Sequence, residues 1–163
     1  MGTGGQGKVA LHLMTEAAII AHLQATCPEL QHDADGENHF FFAAGEKKFP
    51  FVTLVTGDQY DKASDLSRPG VYRLNIGVEK DTYRSLFGQP PGWGPPDGTV
   101  DTGHDFTALD QLMPHPIYAP MGWVCVLSPS VANFEALKPL IAEAYELAMQ
   151  RHARKQAGGE EEW

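Results

Sequence analysis

Residues 71–78, Val-Tyr-Arg-Leu-Asn-Ile-Gly-Val, alternate in a way only an extended chain can use. Tyr72, Leu74, Ile76 and Val78 fall on one face, while Arg73 and Asn75 fall on the other. A helix would scatter the same residues around its circumference. The segment is therefore a strand with one face in a core and the other on solvent or a polar cavity.

Around this strand the remaining periodicities build an α+β domain. Residues 37–43, carrying Phe40, Phe41 and Phe42 between Asp35-Gly36 and Gly45, predict a strand. Residues 49–56 predict a second, paired with the first as an antiparallel hairpin. Residues 123–127, Trp-Val-Cys-Val-Leu, are apolar on both faces and predict a central strand. Thr15 is positioned as a helix N-cap, with Glu16 at the positive end of the helix, and Ile19, Ile20, Leu23 and Cys27 follow at helical spacing as far as Pro28. Residues 81–87 predict a short helix with Tyr83, Leu86 and Phe87 inward and Gly88 as its stop. From Phe134 onward, Leu137, Ile141, Ala144, Tyr145 and Ala148 form the strongest helical pattern in the chain, with Pro139 expected in the first turn of the main helix. Residues 89–103 hold four prolines, four glycines and Trp93, so they predict a long loop.

The expected architecture is one domain over residues 15–154. It has an antiparallel sheet of four or more strands, with the first and last helices on one face. Residues 1–14, glycine-rich at the start, are expected to be a flexible leader or a remnant of cloning, and residues 155–163 a disordered tail. The length of 163 residues suits a single core.

Twelve Lys and Arg against 21 Asp and Glu leave a formal charge of −9. That balance argues against a nucleic-acid partner, whose phosphates are bound by Lys and Arg. No apolar run approaches the ~20 residues of a membrane span, so no membrane partner is expected. Cys27 and Cys125, isolated and in apolar settings, read as free buried thiols of a reducing compartment, and a cytoplasmic location is the expectation.

The chain lacks a P-loop, a dinucleotide glycine fingerprint, HExxH, CxxC and GxSxG, which removes several large enzyme classes. Three polar constellations remain. Arg73 and Asn75, with Asp65 and Arg68 in the preceding loop, offer a forked cation and amide donors to a carboxylate or phosphate; an internal pair of Asp65 with Arg68 or Arg73 would use the same atoms. His104, Asp105, Asp110 and His115 are donors suited to a divalent ion or to acid–base work, although their spacing matches no standard metal motif. His115 is clamped between Pro114 and Pro116, which makes it a stiff corner able to serve chemistry or to fix the path into the next strand. Cys125 with His115 would make a thiol and its base, but an apolar strand raises a thiol's pKa. Trp93 could cover a ligand or anchor its loop. Arg151, His152, Arg154 and Lys155 complement the negative end of the last helix.

Taken together, Phe40-Phe41-Phe42, the run Phe49-Pro50-Phe51-Val52-Thr53, residues 64–78, residues 105–110, Pro114-His115-Pro116 and residues 123–127 resemble a family of small proteins known only as a domain of unknown function, the one numbered 6194. The resemblance covers most of the chain from about Thr15 to Arg154 and implies a fold without assigning chemistry. More distantly, the strand bearing Trp123 and the long Leu- and Tyr-bearing helix after it are similar to the YjbR-like group, whose α+β fold has been likened to DNA-binding modules.

The expected function is a non-catalytic binding module in which Arg73, Asn75, Arg68 and Asp65 meet a small anionic ligand or a partner protein. No cofactor is expected. An enzyme or metal-binding protein using His115 with Asp105 or Asp110 is the alternative, and DNA binding by fold analogy the third.

Overall fold

The computed structural model describes residues 12–158. Helix α1, Glu16–Thr26, begins where Thr15 Oγ1 accepts the Ala18 N–H at 3.0 Å, the N-cap the sequence predicts. Strands β1 (Leu30–Asp35), β2 (Asn38–Ala43), β3 (Val52–Val55) and β4 (Arg73–Gly77) follow. Helix α2 (Lys80–Phe87), strand β5 (Met113–Pro114), a 3-10 turn (Ala119–Met121), strand β6 (Trp123–Leu127) and helix α3 (Val131–Gly158) complete the order. Among the described residues the sheet has six strands in the order β1-β2-β3-β4-β6-β5, and every pair is antiparallel.

The register turns the period of two into layers. Leu54, Leu74 and Val126 lie side by side across β3, β4 and β6, as do Val52, Ile76 and Val124. All six are fully or almost fully buried beneath α3, whose Phe134, Leu137, Ile141 and Ala144 are buried in turn. Helix α1 shares that side. The His22 ring meets Phe134 edge to face at 5.4 Å, and Tyr72 donates its hydroxyl to the Met14 carbonyl at 2.6 Å. The expected placement of the first and last helices on one face is what the chain adopts.

Several boundaries differ from expectation for physical reasons. Strand β1, Leu-Gln-His-Asp-Ala-Asp, carries no apolar alternation because it is an edge strand, exposed over its last four residues. Its polar side chains keep that edge from pairing with other chains. Strand β5 is only two residues long and too short for any pattern to announce it. Helix α3 starts at Val131 instead of near Phe134, capped by Ser130, so Pro139 lies inside the helix and not in its first turn. The same helix runs on through Gly158 into the stretch expected to be a tail; residues 159–163 lie outside the described residues, as do 1–11 of the expected leader. Residues 12–14 are bound to the start of α3: Leu13 bridges Ser130, and Val131 donates its N–H to the His12 carbonyl. Both cysteines are free and buried. Among the described residues, no helix is long and apolar enough to cross a membrane.

Candidate functional site

The sheet face opposite the helices carries the polar side chains of β4. Antiparallel pairing sets Thr53, Asn75 and Cys125 in one row and Val55, Arg73 and Leu127 in the next. Residues between β3 and β4 and between α2 and β6 fold over this face and bury it.

Arg73, 1% exposed, is held by four hydrogen bonds. Its Nη1 and Nη2 donate to the two carboxylate oxygens of Asp61 at 3.0 and 2.8 Å, a two-point contact suited to the planar guanidinium. Nη1 also donates to Ser64 Oγ at 3.0 Å, and Nε donates to Asn75 Oδ1 at 3.0 Å. The Asn75 amide then donates to Thr53 Oγ1 at 2.8 Å, so the network links β4 to β3. Burial alone would raise the Asp61 pKa, but the bonds and charge of Arg73 and the Ala63 N–H outweigh it and hold the carboxyl below its ordinary range.

Of the four residues predicted to bind a ligand, Arg73 and Asn75 lie within this layer, and Arg68 and Asp65 border it through Ser64. Arg68 Nη2 donates to the carbonyls of Ser64 and Thr107, and its Nε donates to the Asp65 carbonyl, so Arg68 clamps two loops together. Its ion pair with Asp65, at 3.7 Å, is solvent-accessible. Arg73 and Asn75 are thus joined directly, Arg68 and Asp65 only adjoin them through Ser64, and the charge of Arg73 is met by Asp61. Asp61, Ser64 and Thr53 complete the network without having been singled out as candidates. In the sequence Asp61 is one of several aspartates in a polar loop, and only the fold aims it at Arg73.

His115 lies beside the same layer, 3% exposed. Its Nδ1 accepts the N–H groups of Ile117 and Tyr118, both at 3.0 Å, which leaves the proton on Nε2. Burial first, and then the nearby Arg73 charge, depress its pKa well below the ordinary histidine value against the opposing pull of Asp61. The ring is a neutral staple for the 3-10 turn leading into β6. Cys125 Sγ donates to the Pro114 carbonyl at 3.6 Å, and burial pushes its pKa up to about 12, so it stays a thiol.

The other acid–base and metal candidates are occupied separately. Asp105 Oδ1 accepts from the N–H and hydroxyl of Thr107, and those bonds lower its pKa. His104 Nδ1 is 2.9 Å from Thr102 Oγ1, and its ring meets Phe87. Asp110, at φ +57°, accepts the Ser130 N–H at 2.7 Å and anchors the start of α3. These residues serve different turns and do not converge on His115. Among the described residues no group of three or more His, Cys, Asp or Glu is arranged to hold a metal ion.

A second constellation forms where the last turns of α3 meet the turn after β2. Glu46, 7% exposed, accepts the N–H groups of Lys48 at 2.9 Å and Phe49 at 3.2 Å, and the Lys155 ammonium at 3.1 Å. Burial would raise its pKa, but these partners prevail and hold it below the ordinary carboxylate range. A groove of about 460 Å³ lies here, lined by Glu46, Lys47, Lys48, His152, Lys155 and Gln156, together with Gly45. Next to it a cleft of about 50 Å³ opens between Phe49, Trp123 and Leu147, with Glu46 on the border of both and Arg151 in the cleft wall. The pKa of Arg151 is lowered, by burial first and then by Arg154 beside it. The sequence pattern reads Arg151, His152, Arg154 and Lys155 as a complement to the helix dipole, because nothing in it shows that Lys47 and Lys48 lie near them.

A family of unknown function, DUF6194, matches residues 14–157. The chain belongs to that family. The likeness expected from Phe40-Phe41-Phe42, residues 64–78 and Pro114-His115-Pro116 is therefore real, and it brings no assigned residue roles with it. No curated protein and no solved structure matches the chain.

Proposed function

We propose that this DUF6194 chain is a non-catalytic module that binds a small anion in the groove between the Gly45–Lys48 turn and the end of α3. One observation carries the reading. Lys47, Lys48 and Lys155, three of the 12 Lys and Arg in a chain of charge −9, line one groove although they come from segments far apart in the sequence, and Arg151 lines the cleft beside it. The Glu46 carboxylate lining the groove is already paired with Lys155 and two backbone N–H groups, and Lys47 and Lys48 add exposed positive charge beside it. An anion at Arg73 would have to displace Asp61 from a buried two-point contact, whereas the groove is open to solvent. The expected anionic partner is thus kept and its place moved. DNA binding by analogy with the YjbR-like group is disfavoured by the formal charge of −9, which repels a polyanion.

Calorimetric titration with inorganic phosphate and pyrophosphate tests this. Wild-type protein should bind, with affinity falling as salt rises, and Lys47→Ala/Lys48→Ala should weaken binding about tenfold without loss of thermal stability. Phosphate binding that ignores the double substitution would refute the placement.

A further inference from the structure

The groove and the adjoining cleft share the Glu46 side chain, so the two lie next to each other. We infer that the physiological ligand is a small amphiphile: an oxyanion head in the cationic groove, joined to a short aliphatic chain in the cleft. The inference rests on the proposed anion site and names the class of molecule it takes.

Small residues help to line the cleft. Gly77 ends β4 with no Cβ, and one placed there would stand 2.8 Å from Cε2 and Cζ2 of Trp123, so the indole lies against the bare backbone. Ala144 and Ala148 leave the α3 wall shallow, and Met121 and Phe49 close the sides. Beside the polar groups of Glu46 and Arg151, the lining offers carbon the side chains of Phe49, Met121, Trp123 and Leu147. A water-sized group needs about 10–15 Å³ of such space. The cleft's 50 Å³ therefore takes a chain of about three to five carbons and excludes a fused aromatic system. Head and tail recognition then divide between two segments of sequence: Lys47, Lys48 and the basic end of α3 hold charge, and Trp123, Met121 and Leu147 hold carbon.

The test is a homologous series of methyl, propyl, butyl, hexyl and octyl phosphate titrated into the full chain, with inorganic phosphate as the head-only reference. Each methylene that enters the cleft should tighten binding about fourfold, up to four or five carbons, after which affinity levels off. The matching alkanoates, acetate to octanoate, distinguish a phosphate head from a carboxylate head, and the same rise and plateau in either series supports the inference. Ala148→Leu fills the cleft and should flatten the series while leaving inorganic phosphate bound. Should that variant fold poorly, Met121→Ala, at an exposed wall, should lower the gain per methylene with the fold intact. A series flat from methyl to octyl, with inorganic phosphate still bound, overturns the aliphatic tail and leaves the anion site standing. Absence of binding by inorganic phosphate and every member of both series overturns the anion site, and the tail with it.

Discussion

Substituting Asp61 by Asn offers the sharpest probe of the polar layer. Asp61 supplies both oxygens to an Arg73 side chain that is 2% exposed, beneath loops that exclude water. In Asp61→Asn the amide oxygen can still accept one guanidinium N–H, but the amide nitrogen turns a donor toward a donor and the cation loses its counter-charge. Removing one partner of a buried ion pair costs about 3–5 kcal/mol, because the survivor remains desolvated. At about 2–4 °C per kcal/mol for a domain of this size, the melting temperature should fall by roughly 6–20 °C. Urea denaturation at pH 7 supplies the free energy, and calorimetry the temperature. The double replacement Asp61→Leu/Arg73→Met removes both charges and should recover most of the loss, since well-packed apolar residues are about as stable as the pair. The acid limb gives an independent check. The folded pKa of Asp61 is depressed, so its contribution is complete above the unfolded value near 3.9 and is lost as pH falls through the folded value. Asp61→Asn should lack that loss. A destabilisation below about 1 kcal/mol, the worth of an exposed pair such as Lys138 with Glu135, would refute the claim that the layer is dry.

Three further outcomes follow from other parts of the chain. His115 is buried neutral with its pKa depressed, so its contribution is complete above the unfolded value near 6.5 and declines as pH falls below it, by up to about 1.4 kcal/mol per pH unit. His115→Asn should flatten urea-measured stability between pH 6.5 and 4.5, a window above the one in which Asp61 acts, and an unchanged slope would contradict the buried neutral ring. Asp110→Ala removes the acceptor of the Ser130 N–H and leaves alanine at φ +57°, so it should cost about 2 kcal/mol in chemical denaturation. Asp110→Asn, which tolerates that conformation and keeps an oxygen, should cost less than half as much. Pro139→Ala restores a helical N–H opposite the Glu135 carbonyl within α3 and should stabilise the protein by about 1–2 kcal/mol, after allowance for the stiffer unfolded chain that proline provides; a loss of stability would show that proline shapes the packing of α3.

The polar layer also separates two uses of charge in one small protein. Arg73 is the cation a reader of the sequence would choose for a ligand, because it stands on the cleanest strand and points away from the apolar face. Its position in mid-strand is also what lets a loop bring Asp61 down upon it. Lys47 and Lys48, by contrast, are exposed at a turn beside the end of α3, where water reaches them.

Local pattern was enough to reveal much of this fold. The alternation of residues 71–78 required β4 and a polar opposite face, the apolar run at 123–127 required a central strand, and the Thr15 cap and the helical spacing from Phe134 required α1 and the body of α3. These are one-dimensional signals, since each depends only on which neighbours along the chain share a face. Strands β1 and β5 escaped because an exposed edge and a two-residue ladder carry no such signal. Pro139 inside α3 escaped because tertiary burial of Phe134 and Leu137 outweighs a local preference to end the helix. Among candidate residues, chemistry could nominate Arg73 and His115 by type alone, while the basic end of α3 read as a complement to the helix dipole. The partners of each, Asp61 for Arg73, the turn N–H groups for His115, and Lys47, Lys48 and Glu46 for the end of α3, were decided only by the tertiary structure. Electrostatics and hydrogen bonding act through space, and segments far apart in sequence meet only after the sheet has closed.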